Sequence, residues 1–171
     1  MWELRPCDYY DVLDGPKIVY PDIAKHARFY LDTEGIYIRN TAYCLGSDDK
    51  YLLGVLNSRL AWFAIARISI PFGERAGEYR YRLFTQYVEQ LPICVVDGSD
   101  RGDLTRRDRV EQRVDQMLAF QRELAAVKTS HERTALERQI SAVDHEIDRL
   151  VYELYRLTDE EIRIVEEATP R

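Results

Sequence analysis

The sequence predicts an α+β protein. A small mixed α/β domain over 1–98 is followed, over 99–171, by a long antiparallel two-helix hairpin and a short C-terminal helix. Three observations carry this reading. Short β-branched and aromatic runs, separated by Gly, Pro and Asp turns, fill the first 45 residues. One apolar stretch at 51–63, YLLGVLNSRLAWF, places Leu52, Leu56, Leu60 and Phe63 at steps of four, four and three, the period of a helix with one face in a core. Residues 103–169 contain neither glycine nor proline, and their apolar residues recur in heptads.

Composition narrows the function classes. A chain of 171 residues with 46% hydrophobic and 32% charged residues buries a real core, which excludes general disorder. No run of eighteen apolar residues predicts a membrane span, and Met1-Trp2-Glu3 does not open a signal peptide. The three cysteines, Cys7, Cys44 and Cys94, are far apart and odd in number. This argues against a disulfide framework or zinc site and for reduced thiols in a cytoplasmic protein. The net charge of −6 gives no global signal for nucleic acid. Charge is uneven, however. Residues 59–82 hold five arginines (59, 67, 75, 80 and 82) against Glu74 and Glu78, net +3. Residues 99–171 hold thirteen basic and seventeen acidic side chains, net −4.

In chain order, 1–16 has no clear period and ends in the turn Asp14-Gly15-Pro16. Residues 17–20 form a β-prone run stopped by Pro21. Residues 28–31 and 36–38, joined by Asp32-Thr33-Glu34-Gly35, predict a hairpin, and 41–45 another strand. Ser47 or Asp48 is placed to cap a helix over 50–66, within which Gly54 implies close packing against a neighbour or a late helix start. Asn57-Ser58-Arg59 lies inside this most apolar helix. Its Asn is expected to cap or to tie loops by hydrogen bonds rather than to read a ligand. Residues 68–73 read as a break and Gly73-Glu74-Arg75-Ala76-Gly77-Glu78 as a loop. Residues 79–84 alternate aromatic and basic side chains like a two-faced strand. A helical turn over 87–91 ends at Pro92, and 97–103 is a linker. Val110, Val114, Met117, Gln121, Leu124 and Lys128 then step by fours and threes, as do seven apolar residues from Leu136 to Leu157. The expected helices are 104–128 and 131–156. Thr158 and Glu161 form a capping box for the last one.

Four stretches in this order resemble the TaqI-like C-terminal specificity domain of type IIG restriction–modification enzymes and adenine-N6 DNA methyltransferases. They are KIVYPDIAKHARFYLD at 17–32, YLLGVLNSRLAWF at 51–63, YVEQLPI at 87–93 and IDRLVYELYRLTDEEIRIVE at 147–166. The resemblance implies a fragment or split subunit that recognises double-stranded DNA for a methyltransferase or endonuclease module located elsewhere. The tetrapeptide that grips a flipped adenine is absent, as are a glycine-rich S-adenosylmethionine loop and a complete nuclease element. No catalysis and no cofactor are therefore expected here; S-adenosylmethionine and Mg belong to the missing modules. Asp48 and Lys50 do not rescue a metal site, because they sit in an expected loop.

Base readout needs donors and acceptors held rigidly, and phosphate contact needs cations and amides. The best candidates are Arg75, Tyr79, Arg80 and Arg82, with Tyr81 between them. Lys25, His26 and Arg28 form a second group. By analogy with type I specificity subunits, the hairpin serves as a spacer or docking arm and as a contact for a homo-oligomer. The rival reading is a coiled-coil protein–protein assembly module without DNA binding. A small hydrolase is weaker, since no nucleophile–base pair is visible.

Overall fold

The computed structural model describes residues 10–170; Met1-Trp2-Glu3, Cys7 and the rest of the first nine residues lie outside the described residues. A short helix, α1 (Tyr10–Asp14), leads into β1 (Lys17–Pro21), the centre of a three-stranded antiparallel sheet. β3 (Tyr30–Asp32) flanks it on one side and β4 (Ala42–Leu45) on the other. Ile18 and Tyr20 of β1 are fully buried, and the Tyr20 ring packs on Phe29 and Tyr43 at centroid distances of 5.2 and 5.6 Å.

The expected hairpin of 28–31 with 36–38 does not form. Asp32 stops it: its carboxylate accepts from the amides of Glu34 at 2.9 Å and Ile36 at 2.8 Å, curling the chain into a loop. β3 pairs instead with β1, which brings Lys17 opposite Asp32. Their ammonium and carboxylate meet at 2.5 Å with both side chains fully buried. Burial alone would raise the Asp32 carboxyl. The Lys17 ammonium and the two amides outweigh it and hold the group below its ordinary value.

The helix expected over 50–66 is two helices, α2 (Lys50–Asn57) and α3 (Arg59–Ile68). Ser58 breaks it, with φ −68° and ψ 157°. Its Oγ donates to the Val55 carbonyl at 2.7 Å and accepts from the Ala61 amide at 3.2 Å, closing one helix and capping the next. Asn57 ties a loop as expected: its side chain accepts from the Phe29 amide and donates to the Phe29 and Leu53 carbonyls. The cap of α2 is Asp49 rather than Ser47 or Asp48.

Residues 68–73 are not simply a break. Pro71–Arg75 is β5, which pairs with β6 (Glu78–Arg82); β6 in turn pairs with β2 (Ile23–Ala24), giving a second sheet in the order β2-β6-β5. The turn has two central residues, Ala76 and Gly77, at φ 57° and 78°, the positive values a tight primed hairpin turn demands. A bulge near Gly73, at φ 80°, lies between the Pro71 and Glu74 pairings. α4 (Thr85–Val88) follows.

The helical part is as expected, with shifted ends. α5 (Arg101–Ala126) starts inside the anticipated linker because Asp100 caps it. α6 (Ser130–Tyr155) is capped by Thr129, and α7 (Asp159–Ala168) carries the Thr158–Glu161 capping box. Ion pairs Arg109–Glu153 and Arg113–Glu146 align α5 and α6 antiparallel. Burial is concentrated at one end of the hairpin. Val110, Val114, Val143, Ile147, Leu150 and Leu154 are buried in the same apolar cluster as the sheets, whereas Met117, Leu124, Leu136 and Ile140 are half-buried. The heptads therefore serve α5–α6 packing and docking onto α2 together. Among the described residues no helix is long and apolar enough to cross a membrane.

Candidate nucleic-acid interface

The second sheet positions the candidate side chains. β2 and β6 are antiparallel, with Ile23 opposite Arg82 and Ala24 opposite Tyr81. This register carries the 25–28 segment alongside the β5–β6 ribbon. Lys25 seals the junction: its ammonium pairs with the Glu78 carboxylate and donates to the Arg75 carbonyl at 2.9 Å. The Lys25 hydrogen bond holds the Glu78 carboxyl below its ordinary value. Two groups about fifty residues apart in sequence thus share one surface.

Strand alternation gives β6 two faces. Tyr81 turns inward, and its ring meets Trp62 of α3 edge-on at 5.8 Å. Tyr79, two residues earlier on the same face, is 59% exposed at the mouth of a cleft also lined by Lys25, His26 and Arg59. On the opposite face, the Arg80 guanidinium lies 5.3 Å from the Phe72 ring and that of Arg82 lies 4.4 Å from it. Arg82 is fixed further by Asp22, at 2.9 Å, and by the Phe84 ring, at 5.2 Å. Arg80 Nη2 donates to the Phe72 carbonyl, at 3.4 Å, and among the described residues its Nε is buried without a hydrogen-bond partner.

The seven nominated residues therefore differ in what holds them. Lys25 and Arg82 are tied by carboxylates. His26 and Arg28 are exposed, and their side chains meet at 3.2 Å. Arg75 is exposed beside the turn and makes no ion pair among the described residues. Tyr79 projects, and Arg80 is half-buried over Phe72. Sequence reasoning misses Phe72, because it reads 68–73 as a break; the ring is 39% exposed and carries the stack beneath both arginines. It also passes over Arg67, exposed on α3 with its guanidinium 3.2 Å from the Phe63 ring centre. A Phe-Gly followed by an alternating aromatic–basic run was the available signal for the ribbon.

Chemically, this surface offers cations and aromatic faces on a two-stranded ribbon with a turn at its tip. It presents no nucleophile paired to a base, and among the described residues no three His, Cys, Asp or Glu side chains gather as a metal site. Of the pair weighed as a metal element, Lys50 is engaged by Asp115 at 2.6 Å, and the intervening Asp49 holds Arg107 at 3.0 Å.

Comparison with known proteins gives one family match. The TaqI-like C-terminal specificity domain matches residues 3–93, more than half of the 171 residues. A TaqI-like specificity domain suggests a DNA sequence-recognition role in restriction–modification enzymes, one that is not itself catalytic. No curated protein matches the chain.

Proposed function

The chain belongs to the TaqI-like C-terminal specificity domain family, and from that membership we propose that it reads the sequence of double-stranded DNA for an adenine-N6 methyltransferase or restriction endonuclease module outside this chain. The observation that carries the proposal is the convergence of Lys25–Arg28 with the β5–β6 ribbon on one exposed surface. A two-stranded ribbon fits the major groove, where arginine pairs with guanine edges and cations meet phosphates. In this reading Arg75, Tyr79 and Arg80 approach bases and backbone from the ribbon. His26 and Arg28 contact the flanking strand. Lys25 and Arg82, already paired with Glu78 and Asp22, position the ribbon. Residues 1–98 form the reading part and 99–171 the arm. S-adenosylmethionine and Mg act only in the module the arm serves. The expected setting is the prokaryotic cytoplasm.

A second reading, protein assembly through the helical hairpin with a homo-oligomer as one form, is favoured by the half-buried Leu124, Leu136 and Ile140 at its distal end. One experiment separates the two. Fluorescence anisotropy with a randomised duplex pool, at low and high salt, is followed by sequencing of the retained DNA. A reader gives salt-sensitive binding that enriches one short motif. Arg75→Ala with Arg80→Ala then weakens binding about tenfold or more and flattens the salt dependence by about two phosphate contacts. Failure to enrich any motif, by the chain alone and by the chain joined to its methyltransferase module, refutes the proposal.

A further inference from the structure

A second concavity has a character opposite to that of the ribbon. It is a groove of about 1000 Å3 between the helical hairpin and the 26–34 segment. Its floor is apolar, formed by Leu53, Met117, Leu118, Ile140 and Ile147. Among the described residues its rim carries Glu34, Glu137 and Asp144 against a single arginine, Arg122, with no lysine; Glu78 and His26 close the end nearest the ribbon, where Glu78 is already paired with Lys25. A phosphate backbone is repelled by the carboxylates of this rim, so the groove, which meets the DNA-reading surface at His26 and Glu78, has the opposite electrostatic character over the rest of its length. Its walls have a measurable length. On α5 they run from Val114 to Ala125 and on α6 from Glu137 to Ile147, which at 1.5 Å per residue is about 15–17 Å, or three helical turns.

We propose that this groove docks an amphipathic α-helix of about three turns, presented by a partner protein, with an apolar stripe toward Met117 and Ile140 and Lys or Arg on its flanks. Apolar anchors spaced i, i+4 and i+7 span the floor, and basic flanks meet the acidic rim. A second copy of this chain is a poor occupant. Its exposed amphipathic helix, α7, carries Asp159, Glu160, Glu161, Glu166 and Glu167 against Arg163, so it brings the wrong charge. The corresponding apolar face of α3, with Ala61, Trp62 and Ile65, is already buried. The proposal does not depend on DNA reading: none of the ribbon arginines lines the groove, and His26 and Glu78, which border both surfaces, are not among the anchors it uses.

The test uses the whole chain and three fluorescein-labelled synthetic helices of fourteen residues. The first has a leucine stripe with lysine flanks, the second the same stripe with glutamate flanks, and the third the lysine composition with the stripe scrambled. Anisotropy is expected to show the lysine-flanked helix binding at least tenfold tighter than either control. Glu34→Lys with Glu137→Lys, both exposed positions, should reverse the preference toward the glutamate-flanked helix. Met117→Gln with Ile140→Gln should lose the lysine-flanked helix while DNA binding, measured in parallel, stays within twofold. Equal binding of all three helices overturns the proposal, as does an unaltered preference after the charge reversal. A concentration-dependent dimer in sedimentation that Met117→Gln abolishes would overturn it too, assigning the groove to a second copy instead.

Discussion

Gly54→Ala tests how the helical arm is seated on the rest of the molecule. In an isolated helix the change is favourable by about 1 kcal/mol. Here a β-carbon at 54 would lie 2.8 Å from Val110 Cγ1 and 2.9 Å from Val114 Cγ2. Carbon pairs are comfortable at about 3.5–4.0 Å, so each contact is short by more than half an ångström. Neither valine can swing away. Both are buried, both sit on the inner face of α5, and valine in a helix is held to one rotamer. Relief requires α5 to back away from α2 as a body, and overpacking of this kind costs about 1–3 kcal/mol. The cost is expected at the upper end, giving a net destabilisation of about 1–2 kcal/mol. In a chain of this size that lowers Tm by about 3–6 °C.

The assay is thermal and urea unfolding followed by circular dichroism, with coincident transitions as the two-state check. Val110→Ala supplies the internal control. Alone it leaves a cavity and destabilises; combined with Gly54→Ala it also relieves the shorter of the two clashes, so the pair should couple by about 1 kcal/mol. A Gly54→Ala protein that melts at or above the parent temperature would refute the reasoning, as would strict additivity in the double variant.

Four other substitutions have definite expected outcomes. Asn57→Ala removes the bonds to the Phe29 amide and carbonyl and should cost about 2–3 kcal/mol in urea unfolding, with amide exchange rising first over 26–31. Asp148 is buried, which pushes its carboxyl up to about 6 despite the Arg59 amide and guanidinium beside it. Its folded pKa lies above the unfolded value, so the folded state binds the extra proton. Stability is greatest below about pH 4 for this group and falls as pH rises through about 6. Asp148→Asn should flatten stability against pH between about 4 and 6.5; an unchanged slope refutes the assignment. Arg82→Ala, which loses the Asp22 pair and two ring stacks, should lower Tm as well as DNA affinity, whereas Arg75→Ala should lower affinity with Tm unchanged.

Much of this protein is legible in its residues because the forces involved are local. The capping box at Thr158 and Glu161 and the long glycine-free helices follow from side chains acting on their own or nearby backbone; Asn57 and Gly54 stand out locally, as a polar residue and a glycine in an apolar helix, although their partners Phe29, Val110 and Val114 lie elsewhere in the chain. The same locality makes the alternation of Tyr79, Arg80, Tyr81 and Arg82 readable as two faces. Strand pairing is not local. Nothing in 28–38 says that β3 prefers β1 to its own neighbour; that choice rests on Asp32 finding Lys17 across the sheet while its oxygens also hold two backbone amides. A break at Ser58 is invisible to periodicity because the apolar spacing continues unbroken through it. The ribbon's first strand is hidden because Pro71 and Gly73 mimic a loop, and its turn because Ala76 takes a left-handed conformation that alanine rarely adopts. Sequence by itself determined the fold class, the helical arm, the family and the basic residues worth testing. Only the tertiary structure decided that Lys25 and Arg75 meet, that Arg82 is held by Asp22, and that an acidic apolar groove lies beside a basic ribbon. Those first two relations join residues some fifty or more positions apart, and pairing at that distance is selected by the energy of the whole core rather than by any window of the chain.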